Sequence, residues 1–275
     1  MKKFFLLNIW VAIYSIVFTQ NYNYDIKYHR LELNANPSVR YINGNVTTIF
    51  STNATNFNSL SFDLDNSLIV DSVLFNNSKL NFIQQRYYFD IFFQQNIEPH
   101  TNYSITVYYH GTPPNNGFGS FETETHNNQP IMWTLSEPMG ARDWWPCKQQ
   151  LTDKADSIDL IVTTNIGNRV ASNGILSKID TLENSTKVRY TWKHRYPITA
   201  YLVAFAITNY ADYTFITKIN DTISFPVVNY IYPEDISDTI GLYQMMHKQL
   251  NFYSNIFIPY PFHKEKYGHA YFNWG

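Results

Sequence analysis

Tyr103-Ser104-Ile105-Thr106-Val107-Tyr108-Tyr109 places bulky apolar side chains at every second position with polar or exposed-tolerant residues between them. A period of two sends alternate side chains to opposite faces, so one face is buried and the other is wet. The pattern recurs in both directions along the chain. Tyr24, Ile26 and Tyr28 alternate with Asp25 and Lys27, and Leu31 and Leu33 flank Glu32. Leu60, Phe62 and Leu64 alternate with Ser61 and Asp63. Farther on, Ile158, Leu160 and Val162 repeat it, then Val188, Tyr190 and Trp192. Asn43-Gly44, Asn76-Asn77, Pro113-Pro114-Asn115-Asn116-Gly117 and Asn173-Gly174 stand between these runs as turn signals. Such spacing over nearly the whole chain predicts a mainly β protein, an antiparallel sandwich or a large open β structure.

The totals agree. Of 275 residues, 44% are hydrophobic, 17% aromatic and only 15% charged. Aromatics suit pleated, half-buried surfaces, and the scarcity of charge leaves Asn, Ser, Thr and Tyr to cover the exterior. A net charge of −2 without a basic stripe argues against a nucleic-acid partner. Lys2 and Lys3 precede an apolar stretch from Phe4 to Phe18, and polar chain resumes at Gln20. Residues 1–19 therefore read as a signal peptide, predicting a secreted, periplasmic or surface protein with no other membrane span. The single cysteine, Cys147, excludes an internal disulfide. The Asn-x-Ser/Thr triplets are expected by chance in so Asn-rich a chain.

Near Pro233 the period changes. Ile240, Tyr243, Met246, Leu250, Tyr253 and Phe257 are three or four apart, predicting an amphipathic helix from Ile236 to Phe257 of about five turns at 3.6 residues each. Asp235 or Ser237 is a natural N-cap, and Pro259 blocks continuation. A strand is expected within Lys266–Phe272. The shift from strands to a long helix places a domain boundary near Tyr230, giving a β domain over 20–229 and the beginning of a second unit over 230–275. A unit consisting of one helix and one strand reads as incomplete.

Catalytic motifs are missing. There is no His-Glu-x-x-His, and His263-Lys264-Glu265 lacks the second imidazole. No Gly-x-Ser-x-Gly elbow, phosphate loop or dinucleotide fingerprint occurs either. One segment stands apart: Glu137-Pro138-Met139-Gly140-Ala141-Arg142-Asp143-Trp144-Trp145-Pro146-Cys147. Its plain reading makes Trp144, Trp145 and Cys147 core and pairs Arg142 with a nearby acid, with Glu137 as one candidate.

This segment resembles the Glu-x-x-x-Ala-Arg-x-x-x-Pro-Cys signature of the M1 (aminopeptidase N-like) zinc metallopeptidases. Other stretches match in order: Gly117-Phe118-Gly119-Ser120-Phe121, Asp153-Lys154-Ala155-Asp156, Ala171-Ser172-Asn173-Gly174, Pro197 through Phe205, and Phe257-Ile258-Pro259-Tyr260-Pro261-Phe262. The closest likeness is to secreted bacterial members. The resemblance implies an N-terminal β-sandwich or saddle domain, then the first helix and strand of a truncated thermolysin-like α+β catalytic domain. It implies that Glu137 anchors the free α-ammonium of a peptide substrate, with Arg142, Trp144, Trp145, Pro146 and Cys147 as structural signature. Gln149 departs from the acid that many members carry there. Zinc is implied for a full-length member and none for this chain, whose partners would be peptides with a free N-terminus and its own missing catalytic domain. Because some relatives have lost the metal site, a non-catalytic binding or scaffold module is the alternative. A carbohydrate-binding sandwich would also suit secretion and exposed aromatics, but not the ordered motifs.

Overall fold

The computed structural model describes residues 23–115, 119–182, 184 and 186–274. The signal peptide expected over 1–19 lies outside the described residues. As the alternation requires, the protein is mainly β, with one α-helix longer than a single turn among the described residues.

Strand β1 (Tyr24–Ala35) forms the spine of the largest sheet. On one side it pairs antiparallel with β2 (Ile42–Thr52), which pairs with β7 (Tyr103–Gly111), and β7 pairs with β4 (Leu68–Phe75). On the other side β1 pairs in parallel with β10 (Ser157–Asn165), placing Leu31 opposite Leu160. Strands β13 (Lys187–His194) and β12 (Ile175–Leu182) continue from β10 to the edge.

Strand β5 (Ser78–Gln84) carries the sheet around a corner. Ser78 to Leu80 pair with β4, whereas Asn81 to Gln84 pair with β6 (Tyr88–Ile97). Beyond β6 lies β3 (Phe57–Asp63), and the order β12-β13-β10-β1-β2-β7-β4-β5-β6-β3 puts β3 five strands away from β2. Yet Phe50 of β2 meets Phe57 of β3 at 6.4 Å and Phe93 of β6 at 6.3 Å between ring centroids. Tyr24 of β1 likewise meets Phe62 of β3 at 6.3 Å. The sheet therefore folds back on itself, and these rings fill the space between its two halves. Aromatic pairs in these tilted, stacked and edge-to-face arrangements add to the burial of their area.

A second sheet of four strands has β8 (Phe121–His126), β9 (Gln129–Thr134), β14 (Phe205–Thr208) and β11 (Arg169–Ser172), in the order β11-β14-β9-β8. A third joins β15 (Ala211–Lys218) and β16 (Ser224–Ile231) antiparallel, with β17 (Tyr267–Ala270) parallel to β16. Helix α1 (Ile236–Ile256) follows a short turn at Pro233–Asp235. The Asp235 side chain makes no capping bond, and the Thr239 hydroxyl instead donates to the Asp235 carbonyl at 2.8 Å. Within the apolar stripe Tyr243 is buried, packed at 6.0 Å from both Tyr213 and His269, whereas Tyr253 and Phe257 are exposed.

Two local expectations are corrected. Asn43-Gly44 is not a turn; both lie inside β2, opposite Asn34 and Leu33 of β1. Glycine is needed there because the strands approach closely: a Cβ would lie 2.0 Å from the Glu32 carbonyl oxygen. The chain reverses over residues 36–41 instead, where the Asn36 side chain accepts from the Ser38 N–H at 3.1 Å. The second correction concerns Tyr28, which is only half-buried. A bulge between Ile26 and Tyr28 shifts the alternation by one residue, so His29 takes the inward place.

Candidate functional site

The signature segment begins where β9 ends. The chain leaves Thr134, whose hydroxyl accepts from the Phe205 N–H at 3.0 Å, and enters a tight turn closed by the Gly140 N–H donating to the Ser136 carbonyl at 2.8 Å. Gly140 stands so close to Ser120 that a Cβ would fall 2.1 Å from its hydroxyl oxygen, which ties this turn to the strand entering β8. Ser136 is buried, and its hydroxyl accepts from the Trp144 indole N–H at 2.9 Å. A single helical turn over Ala141–Asp143 then leads to Trp144, Trp145 and Cys147, all 0% exposed. The core expectation for these three side chains is met.

The far end of the segment is fastened as firmly. Cys147 forms a two-way backbone bridge with Asp63 at the end of β3, with bonds of 2.7 and 3.1 Å. The Asp63 carboxylate accepts from the Gln149 N–H at 2.9 Å, and the Gln149 side-chain oxygen accepts from the Arg142 N–H at 3.1 Å. Gln149 thus secures the loop as a neutral acceptor, a role its sequence position did not reveal. Burial, followed by the nearby Asp63 and Asp143 carboxylates, pushes the Cys147 thiol well above its ordinary range, which keeps it unreactive. The Tyr109 hydroxyl donates to the Trp144 carbonyl at 2.9 Å.

Against this fixed background, Glu137 is exposed. Its carboxylate makes no hydrogen bond or ion pair among the described residues, so the expected pairing with Arg142 does not occur. The Arg142 guanidinium lies over the Tyr87 ring instead, 4.3 Å from its centroid. Glu137 therefore presents a negative charge from a turn flanked by buried Ser136 and Ala141, with Pro138 and Met139 beside it also exposed. Such a group can accept charge-assisted hydrogen bonds from a cationic ligand.

Lys148 next to Cys147 is buried with Asp153 as an ion pair, their side chains 3% and 10% exposed. Its ammonium also donates to the Tyr24 carbonyl and sits 4.3 Å above the Tyr24 ring. His29 packs edge to face with Trp145 at 5.0 Å and meets the Thr48 hydroxyl at 2.9 Å. Burial holds its imidazole down to about 3. Neither partnership was legible in the sequence.

A cavity of about 460 Å³ opens beside this region. Its wall includes Trp133 and Thr134 of β9, Phe205 of β14, Lys266 and His269 around β17, and Phe272. Glu137 is not part of that wall, though Thr134 is three residues before it. Among the described residues no group of three or more His, Cys, Asp or Glu is arranged to hold a metal ion, and no helix is long and apolar enough to cross a membrane.

The described residues thus form a large sheet that folds back on itself, closed by a buried loop on which Glu137 is exposed. The peptidase M1 N-terminal domain profile matches residues 19–202, and this chain belongs to that family. Among solved structures, the M1 zinc metallopeptidase from Deinococcus radiodurans shares the fold with a TM-score of 0.76 at 19% identity, covering 91% of this chain and 57% of that one. A mutant of that enzyme bound to a Tyr-Ser-Ala substrate gives 0.74 at 19% identity, covering 90% and 56%. A two-domain M1 zinc metallopeptidase mutant bound to L-arginine gives 0.75 at 19% identity, with the same coverage. The chain thus spans a little over half the length of these structures. Comparison with curated proteins returns no match.

Proposed function

We propose that this chain is the N-terminal part of a zinc-dependent M1 aminopeptidase, exported by its first 19 residues, in which Glu137 receives the free α-ammonium of a peptide. The observation that carries this reading is the unpaired, exposed Glu137 carboxylate on a turn held by buried Ser136 and Trp144. An acid carried on such a turn prefers a charged amine to an internal amide, because only the amine offsets its desolvation with an ion pair. That preference is what an exopeptidase requires.

The β domain would extend over 20–229, with 230–275 opening the catalytic unit. No metal shell exists among the described residues, so no catalytic step is assigned to them. Zinc, present in the solved relatives by their description, would be held by residues outside this sequence and would supply a Lewis acid for the scissile carbonyl.

Two preparations test the reading: this 275-residue chain and the complete product of its gene. We expect the complete product to hold one zinc and to cleave aminoacyl reporter substrates, and the shorter chain to do neither. One tightly held zinc in the shorter chain would refute that assignment. A complete product without zinc or activity would instead make this β domain a binding or scaffold module.

A further inference from the structure

Glu265 and Lys266 immediately precede β17 and reach to different parts of the β structure. Glu265 is a buried carboxylate: one oxygen lies 2.6 Å from His194 Nδ1, and the other accepts from the Arg195 N–H at 2.5 Å. Both partners stand at the end of β13. The Lys266 ammonium donates to the Ser172 carbonyl at 2.7 Å and the Gly174 carbonyl at 2.5 Å, in the turn joining β11 to β12. It also lies 4.8 Å from the centroid of the buried Trp192 ring. The turn that supplies these carbonyls is itself held close against β13. Gly174 adopts a φ of +76°, and a Cβ there would meet the Lys193 carbonyl oxygen at 2.2 Å. Two consecutive residues therefore bring a carboxylate and an ammonium, separated by about 70 to 90 residues in sequence from their partners, to fixed acceptors and donors on three strands' ends.

We propose that Glu265 and Lys266 form a clasp that fixes the position of β17, and of whatever follows it, relative to Glu137, which makes both positioning residues for the capture of a peptide's amino end. This inference rests on the peptidase reading above. Glu137 follows β9, and β9 is joined through β14 to β11, whose last residue, Ser172, receives Lys266. The clasp thus ties β17 to the same small sheet that carries the amine anchor. An anchor selects substrates only if its distance from the reacting centre is constant, and a displacement of about 1 Å can cost on the order of 100-fold. Charge-assisted bonds from the buried Glu265 and the half-buried Lys266 are suited to hold that distance, because they have a narrow geometry.

The test uses Lys266→Met, which keeps the apolar stem over Trp192 and removes the donors. In this chain, amide exchange at 267–270 should rise at least tenfold while exchange at 105–109 in β7 stays unchanged. No rise at 267–270, or an equal rise in both places, would overturn the clasp. In the complete gene product, the preference for peptides with a free over an acetylated N-terminus should fall at least tenfold, through KM more than kcat. A loosened β17 with an undiminished preference would overturn the positioning role. Should Lys266→Met not fold, Glu265→Gln, which keeps an acceptor for the Arg195 N–H, is read by the same criteria. A wild-type protein that does not distinguish free from blocked ends would sink the peptidase reading instead, and it would do so without any substitution.

Discussion

Acidification acts on His29 in a way that can be worked through. Its imidazole is 4% exposed, packed on Trp145 and bonded to the Thr48 hydroxyl. Burial lowers it from 6.5 to about 3 in the folded protein. Because the folded value lies below the unfolded one, the unfolded chain binds the proton first. The stabilisation is complete above the unfolded value and drains away as pH falls from about 6.5 toward 3. Linkage puts the loss at about 2 kcal/mol by pH 5 and about 3 kcal/mol by pH 4. For a protein of this size each kcal/mol moves the unfolding midpoint by about 2–4 °C, so roughly 6–12 °C should be lost by pH 4 from this group alone. The control is His29→Gln, whose amide can still bond Thr48 but does not titrate. Thermal unfolding followed by circular dichroism at pH 7, 5 and 4 should show the wild type falling faster than the variant by those amounts. Parallel pH profiles would refute the reasoning and place the acid sensitivity in the carboxylates.

Three further substitutions probe the framework. Lys148→Ala should cost about 3–5 kcal/mol, because it strands the Asp153 carboxylate, only 10% exposed, without its ammonium; denaturant unfolding measures this, and a cost below about 1 kcal/mol would contradict the buried pair. Trp144→Ala should cost about 3–5 kcal/mol through lost burial and the lost bond to Ser136, whereas Trp144→Phe should recover most of the packing but not the bond. Gly44→Ala should destabilise by about 1–3 kcal/mol, since its methyl would meet the Glu32 carbonyl oxygen at 2.0 Å; an unchanged unfolding midpoint would show that β1 and β2 separate freely.

What the sequence made legible was set by the range of the interactions concerned. Alternation in β7 and β13 is a local property, and Ile105, Val107, Val188 and Trp192 are buried as it requires. The change to helical period near Ile236 is local too, and α1 begins there. Alternation is reset by the bulge between Ile26 and Tyr28, because nothing in the side chains announces the extra residue, and it lapses without a bulge where consecutive residues are buried, as at Leu160, Ile161 and Val162 of β10. Gly44 was misread for a related reason: glycine serves a turn and a close strand crossing equally well, and only the position of Glu32 separates them. The parallel pairing of β1 with β10 joins residues more than a hundred positions apart and leaves no periodic trace. The signature segment was visible as an oddity of composition, and burial of its tryptophans follows from their size. That Gln149, Lys148 and Lys266 are held by Arg142, Asp153 and two turn carbonyls depended on three-dimensional placement.

Glu137→Gln in the complete gene product tests the account most directly, because it removes the charge and keeps the shape. Kinetics should be run on matched peptides with free and acetylated N-termini. KM for the free peptide should rise tenfold or more, about 1.4 kcal/mol or greater, while the acetylated peptide is unaffected. Equal changes for both peptides, or none for either, would contradict the assignment of Glu137 as the amine anchor.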